Sequence, residues 1–182
     1  MSAAIFEKIR DELPHNCQVE ETAWNGGALI YGLVAVKRPK LAIEIGAQRG
    51  TTTAYMAKAM SELMYGELVA YELVPSRCAE SIARLEEVWP CGPWSVKEGD
   101  FFEMYDGRAV DFCFLDIDPK ESYIPAYELV KFQPGALLVA HDMTHPFHQT
   151  NLEKLHERLI ADGWDTFTID QERGFLLATK RS

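Results

Sequence analysis

The sequence predicts a doubly wound α/β fold built on a seven-stranded, mostly parallel sheet with one antiparallel strand at its C-terminal end. Three observations carry that expectation. Short apolar runs alternate with longer helical segments from Leu41 to Asp162, the pattern of parallel strands joined by crossover helices. The last two runs, Trp164–Ile169 and Gly174–Thr179, are separated only by Asp170 to Arg173. So short a link cannot cross over and must turn back as a hairpin. The chain has 182 residues, 47% hydrophobic and 25% charged, which suits one globular domain spanning 1–182 with a substantial core.

Each element has a local reason. Ile5, Ile9 and Leu13 recur at steps of four, and Pro14 ends that short amphipathic helix. A second helix runs from Gly27 to Val36 and is closed by Pro39; residues 1–38 are expected to cover the site. Leu41–Ile45 reads as a buried strand, Gly46 to Gly50 as a turn, and Thr51 to Leu63 as a helix with Tyr55, Met56, Ala59, Met60 and Leu63 inward. Glu67–Glu72 and Trp94–Glu98 read as strands around a helix at Ser76–Trp89. The strand Val110–Asp116, the helix Ser122–Lys131, the strand Ala136–His141 and the helix Asn151–Asp162 follow.

Charge and cysteines narrow the function classes. Eighteen basic against 28 acidic residues give a formal charge of −10, which argues against nucleic acid or an anionic membrane as partner. No apolar run is long enough to span a bilayer, and the first residues lack the pattern of a signal peptide. Four scattered cysteines, Cys17, Cys78, Cys91 and Cys113, form no C-x-x-C pair. Free thiols in a reducing cytoplasm are the expectation.

Ligands of such sheets bind beyond the carboxyl ends of the strands, so the strand-end residues matter most. The first strand ends in Glu44-Ile45-Gly46-Ala47-Gln48-Arg49-Gly50. Gln48 stands where a dinucleotide-binding turn needs its middle glycine. The spacing is instead acid-x-Gly-x-x-x-Gly. Gly46 lets the backbone approach a ligand closely, so Gly46→Val is expected to abolish binding while leaving much of the fold. Glu72 ends the second strand, where a carboxylate can accept from both hydroxyls of a ribose. After the third strand, Asp100 can accept from an exocyclic amine and Phe101 can flank a base.

These places, in this order, resemble the class I S-adenosylmethionine-dependent methyltransferases, whose sheet is Rossmann-like. Ala42 to Thr52 looks like the family's first motif, and the resemblance runs from about residue 25 to the closing hairpin. It implies S-adenosylmethionine as cofactor, with contacts at Glu44, Gly46, Ala47, Gln48, Gly50, Glu72, Asp100 and Phe101, and with Asp116 below the sulfonium. The fourth and fifth strand ends, Asp116 and His141-Asp142, resemble the small-molecule O-methyltransferase branch of catechol-type enzymes and their sugar and natural-product relatives. Transferred by position, Asp116, His141 and Asp142 hold a divalent metal. Magnesium suits the two acids, and the histidine shifts the preference toward a transition metal. His145 and His148 follow closely.

A cation between two carboxylates can grip an acceptor hydroxyl and lower its pKa. The catalytic set read from the sequence is Asp116, Lys120 and His141. The family's histidine position holds Pro119, so Lys120 is the candidate base if burial or the cation lowers its pKa. Trp24 is a pocket candidate. The implied acceptor is a small molecule, and a homo-oligomer stays open. N-methylation, another metal-dependent reaction on the same scaffold, and a non-catalytic cofactor-binding subunit are the alternatives.

Overall fold

A computed structural model describes residues 26–144, 149–170 and 173–181. The expected helix at 3–13, Trp24, Cys17, His145 and His148 lie outside these residues. In chain order the elements are α1 (Gly26–Lys37), β1 (Leu41–Ile45), α2 (Thr51–Leu63), β2 (Glu67–Glu72), α3 (Pro75–Val88) and β3 (Trp94–Glu98). There follow α4 (Phe101–Met104), β4 (Val110–Leu115), a 3₁₀ turn (Lys120–Ser122), α5 (Tyr123–Leu129), β5 (Phe132–His141), α6 (Gln149–Ala161), β6 (Asp165–Ile169) and β7 (Phe175–Thr179).

The seven strands form one sheet in the order β3-β2-β1-β4-β5-β7-β6. Only β7 runs against the rest, pairing antiparallel with both β5 and β6. The predicted hairpin and the doubly wound sheet are both present. The chain reverses direction across the sheet between β1 and β4, and the polar strand ends gather there.

The central strands are apolar on both faces because helices cover both. Ile30 and Val34 of α1, Met56 and Met60 of α2 and Leu85 of α3 fill one face against Ala42, Phe112 and Phe114. Tyr123, Ala126, Leu152, Leu155 and Leu159 of α5 and α6 fill the other against Ile43, Cys113 and Leu138. Each fully buried side chain of this kind contributes about 1.5–3 kcal/mol. Among the described residues no helix is long and apolar enough to cross a membrane. Cys78, Cys91 and Cys113 form no disulfide.

Two of the boundaries that differ from the sequence reading have a clear physical reason. The fifth strand begins at Phe132, four residues before the expected Ala136. Pro134 and Gly135, which read as a break, form an irregularity: Val110 pairs with Phe132 but Phe112 with Leu137. Gly135, at φ +72°, absorbs the extra residues as a bulge does. For the same reason α5 stops at Leu129. Val130 is already extended, leading the chain into β5, so the helix cannot reach Lys131.

Candidate active site

The turn after β1 is built from backbone. Gly46 N–H and Ala47 N–H both donate to the Tyr71 carbonyl at 3.0 Å. Gln48 takes the left-handed conformation at φ +48°. Its N–H donates to Glu72 Oε2 at 2.7 Å, and its carbonyl accepts from Ser81 Oγ at 3.3 Å. Val74 N–H donates to Glu72 Oε1 at 2.9 Å. Glu72 is thus a buried acid whose two oxygens are each held by a backbone N–H, with lone pairs to spare. It braces the turn it faces.

Gly46 has a structural role beyond the close ligand approach read in the sequence. Its φ is +93°, and a Cβ there would lie 2.3 Å from the Asp116 carbonyl oxygen. The glycine lets the β1 and β4 exits cross closely, so Gly46→Val strikes the fold itself. The expected separation of binding from folding at this position is corrected.

Asp100 caps α4, accepting from Phe102 N–H at 2.9 Å. Phe101 is buried edge-to-face on Tyr71, centroids 5.0 Å apart. A cavity of about 240 Å³ runs between these walls, lined by Gly46, Gln48, Glu72, Asp100, Phe101 and Asp116 among others. A second, of about 250 Å³, lies over the N-terminus of α2 and is lined by Gly46, Ala47, Gln48, Arg49 and Asp116 among others. Asp116 belongs to both. Gly50, at φ +83°, is the N-cap of α2 and lies outside both linings.

Glu44 stands apart from these cavities. It is buried in mid-strand, facing α2, where Thr53 Oγ1 donates to its Oε2. Burial pushes its carboxyl up to about 8, against the Thr53 hydrogen bond and helped by the charges of Asp116 and Glu72.

Across the switch, parallel pairing sets Leu115 beside Ala140, so Asp116 and His141 come next to each other. Asp142 turns at φ +70°, a conformation aspartate tolerates. Asp116, His141 and Asp142 each offer a ligand atom, all within 4.8 Å of one another, and form a group that can hold a metal ion. His141 Nδ1 lies 3.1 Å from Asp116 Oδ2 and 3.6 Å from Asp142 Oδ1, and its ring stacks on Phe175 with centroids 4.8 Å apart. The site is buried but for Asp116, whose side chain is 17% exposed.

Lys120 corrects the sequence reading most directly. Its Nζ reaches Asp116 Oδ1 at 2.6 Å and Asp142 Oδ2 at 3.0 Å, with Tyr123 Oη at 3.2 Å. Burial would lower its pKa, but the charges and hydrogen bonds of Asp116 and Asp142 outweigh burial and raise it. With both acids paired to it, Lys120 is held as an ammonium, which argues against the general-base role read from the sequence. Asp116 is depressed in return: burial would raise it, yet the His141 contact and the Lys120 charge hold it at about 2. Tyr123 is driven well above the usual phenol value, by burial and then by the charges of Asp116 and Asp142.

Besides Tyr123, one further participant escaped the sequence. Arg173, in the hairpin turn, grips Asp142 through Nη2 at 2.9 Å to Oδ2 and Nε at 2.6 Å to Oδ1. Backbone bonds hold the turn there: Thr144 N–H donates to the Arg173 carbonyl and Met143 N–H to that of Gly174, at 2.9 and 3.2 Å. Gly174 permits the approach, at φ +77° with a Cβ position 2.9 Å from Thr144 N.

No protein-family model and no curated protein matches the sequence. Solved structures do match the fold. An O-methyltransferase from Bacillus cereus, in complex with S-adenosylhomocysteine, superposes with a TM-score of 0.72 at 16% identity, covering 100% of this chain and 92% of that one. The O-methyltransferase TomG of Streptomyces achromogenes, involved in tomaymycin synthesis and solved with S-adenosylmethionine, gives 0.70 at 21% identity over 86% and 80%. A methyltransferase from Geobacter sulfurreducens gives 0.72 at 17% identity over 99% and 98%. The chain therefore has the Rossmann-like fold of these methyltransferases, with their seven-stranded sheet and reversed C-terminal strand.

Proposed function

We propose that this protein is an S-adenosylmethionine-dependent methyltransferase acting on the hydroxyl of a small molecule. The observation that carries the reading is Glu72. It is a buried acid at the end of β2, held by Gln48 N–H and Val74 N–H, in one cavity with the Gly46 turn, Asp100 and Phe101. That constellation suits a nucleoside: ribose on Glu72, base between Asp100 and Phe101, and the methionine end along Gly46 to Gly50. The O-methyltransferases sharing the fold add weight, because two were solved with the cofactor or its product.

In this reading the sulfonium lies over Asp116, where the two cavities meet. The acceptor oxygen attacks the methyl carbon, the carbon–sulfur bond breaks and sulfur keeps its electron pair. Asp116, ionised at neutral pH, accepts a hydrogen bond from the acceptor hydroxyl and orients it. Lys120 anchors that carboxylate. With no ion on its Nδ1, His141, set against Asp116, takes the hydroxyl proton, while Glu44 lies in mid-strand and accepts from Thr53 of α2. When bound at Asp116, His141 and Asp142, a divalent ion supplies a Lewis acid that lowers the acceptor's pKa. The acidic chain works in the cytoplasm without nucleic acid or membrane as partner.

The test is product analysis with S-adenosylmethionine and a panel of catechols, sugars and phenolic natural products. S-adenosylhomocysteine should form in step with an acceptor methylated on oxygen. Methylation on nitrogen would replace the acceptor assignment, and intact cofactor across the panel would contradict it.

A further inference from the structure

The two cations beside Asp142 differ in kind. Lys120 is 3% exposed and bridges the outer oxygens, Asp116 Oδ1 and Asp142 Oδ2. Removing it would strand two buried charges, a costly change. The Arg173 side chain is 54% exposed, and an ion pair with one open partner is cheap to exchange.

Asp142 Oδ1 shows what that exchange would satisfy. The oxygen is buried and accepts no hydrogen bond among the described residues, although Arg173 Nε lies 2.6 Å away. At this oxygen the contact is one of charge alone; the directed hydrogen bond of Arg173 runs from Nη2 to Asp142 Oδ2 at 2.9 Å. The same oxygen lies 3.6 Å from His141 Nδ1, which lies 3.1 Å from Asp116 Oδ2. Neighbouring donors on one ion at about 2.1 Å stand roughly 3 Å apart. His141 Nδ1 is thus spaced to share a cation with Asp116 Oδ2 and with Asp142 Oδ1, and Lys120 holds the other oxygen of each carboxylate.

We infer that Arg173 is a resident counter-cation of Asp142 that a divalent ion displaces, so the β6–β7 turn sets the affinity of the site for metal. The inference rests on the methyltransferase reading only for the use made of the metal. With a histidine among the donors, manganese is a suitable probe.

Mn²⁺ titration followed by electron paramagnetic resonance, on the full chain, tests it. Arg173→Gln should bind Mn²⁺ at least about tenfold more tightly than the wild type, the scale on which neighbours of metal ligands act. Arg173→Lys keeps the charge and should fall between the two. Arg158→Gln removes a charge that pairs with Glu128 and Asp162, away from Asp142, and should leave the affinity unchanged, and Asp142→Asn should bind no Mn²⁺. Equal affinity in wild type and both Arg173 variants would overturn the inference, as would no Mn²⁺ binding by any of the three. S-adenosylhomocysteine affinity, measured on the same samples, separates the readings: its absence in the wild type contradicts the methyltransferase assignment and leaves the Mn²⁺ comparison standing.

Discussion

The two halves of the site are held together by different forces. On the β1–β2–β3 side the walls are backbone: Gly46 and Ala47 N–H on the Tyr71 carbonyl, Gln48 and Val74 N–H on Glu72. On the β4–β5–β7 side ionisable side chains hold one another, with Asp116 and Asp142 between Lys120, His141 and Arg173. A pocket walled by amides keeps its shape when a ligand enters, because an amide has no charge to lose. A charge cluster is stable only while each charge has a partner, so it can exchange one cation for another. The first half is suited to gripping a cofactor and the second to meeting a varied acceptor or ion.

The largest expected effect lies where the halves touch. Gly46→Val forces a Cβ against the Asp116 carbonyl at a positive φ. Backbone strain and overpacking of about 1–3 kcal/mol each should appear as a lower urea midpoint. Wild-type stability would show that the close crossing is not what the glycine serves.

Lys120→Met comes next and acts on the charged half alone. Breaking a buried pair costs about 3–5 kcal/mol. Adding Asp116→Asn should cost less than the sum of the two single changes, since the residues are coupled. Strict additivity would break the picture of one cluster.

The smallest effect concerns Glu44. Its carboxyl titrates near 8 in the folded protein, against an ordinary value of 4.5 for the unfolded chain, so folding takes up a proton between those values. Its contribution to stability is full below about pH 4.5 and is lost as the pH rises toward 8. Glu44→Gln, which cannot ionise, should therefore melt above the wild type at pH 8.5, with the gap closing toward pH 5. A constant gap would show that Glu44 does not titrate in this range.

Legibility follows the same division. The backbone-built half is local in sequence: Gly46 to Gly50 and the acid of Glu72 stand at strand ends that alternation reveals. The parallel sheet and the reversed β7 were legible for the same reason, as was the meeting of Asp116, His141 and Asp142 at adjacent strand ends. The charged half depends on contacts the spacing does not carry. Lys120 reads as a base candidate because burial lowers a lysine, but the two acids around it reverse the sign. Arg173 is 31 residues from Asp142, and only the packing of the hairpin against Met143 and Thr144 brings it there. Gly46 was legible as a needed glycine, yet its obstacle, the Asp116 carbonyl, belongs to another strand.

Calorimetric titration with S-adenosylhomocysteine tests the central claim most directly. Wild-type protein should bind one equivalent. Glu72→Ala removes a charged acceptor whose hydrogen bonds contribute about 1.5–3 kcal/mol each, and should weaken binding at least about tenfold for each bond lost. Lys120→Arg, which keeps the charge of the other half, should bind as the wild type does. Binding that survives Glu72→Ala unchanged, or no binding by the folded wild type, would contradict a cofactor site built on the β1–β2–β3 side.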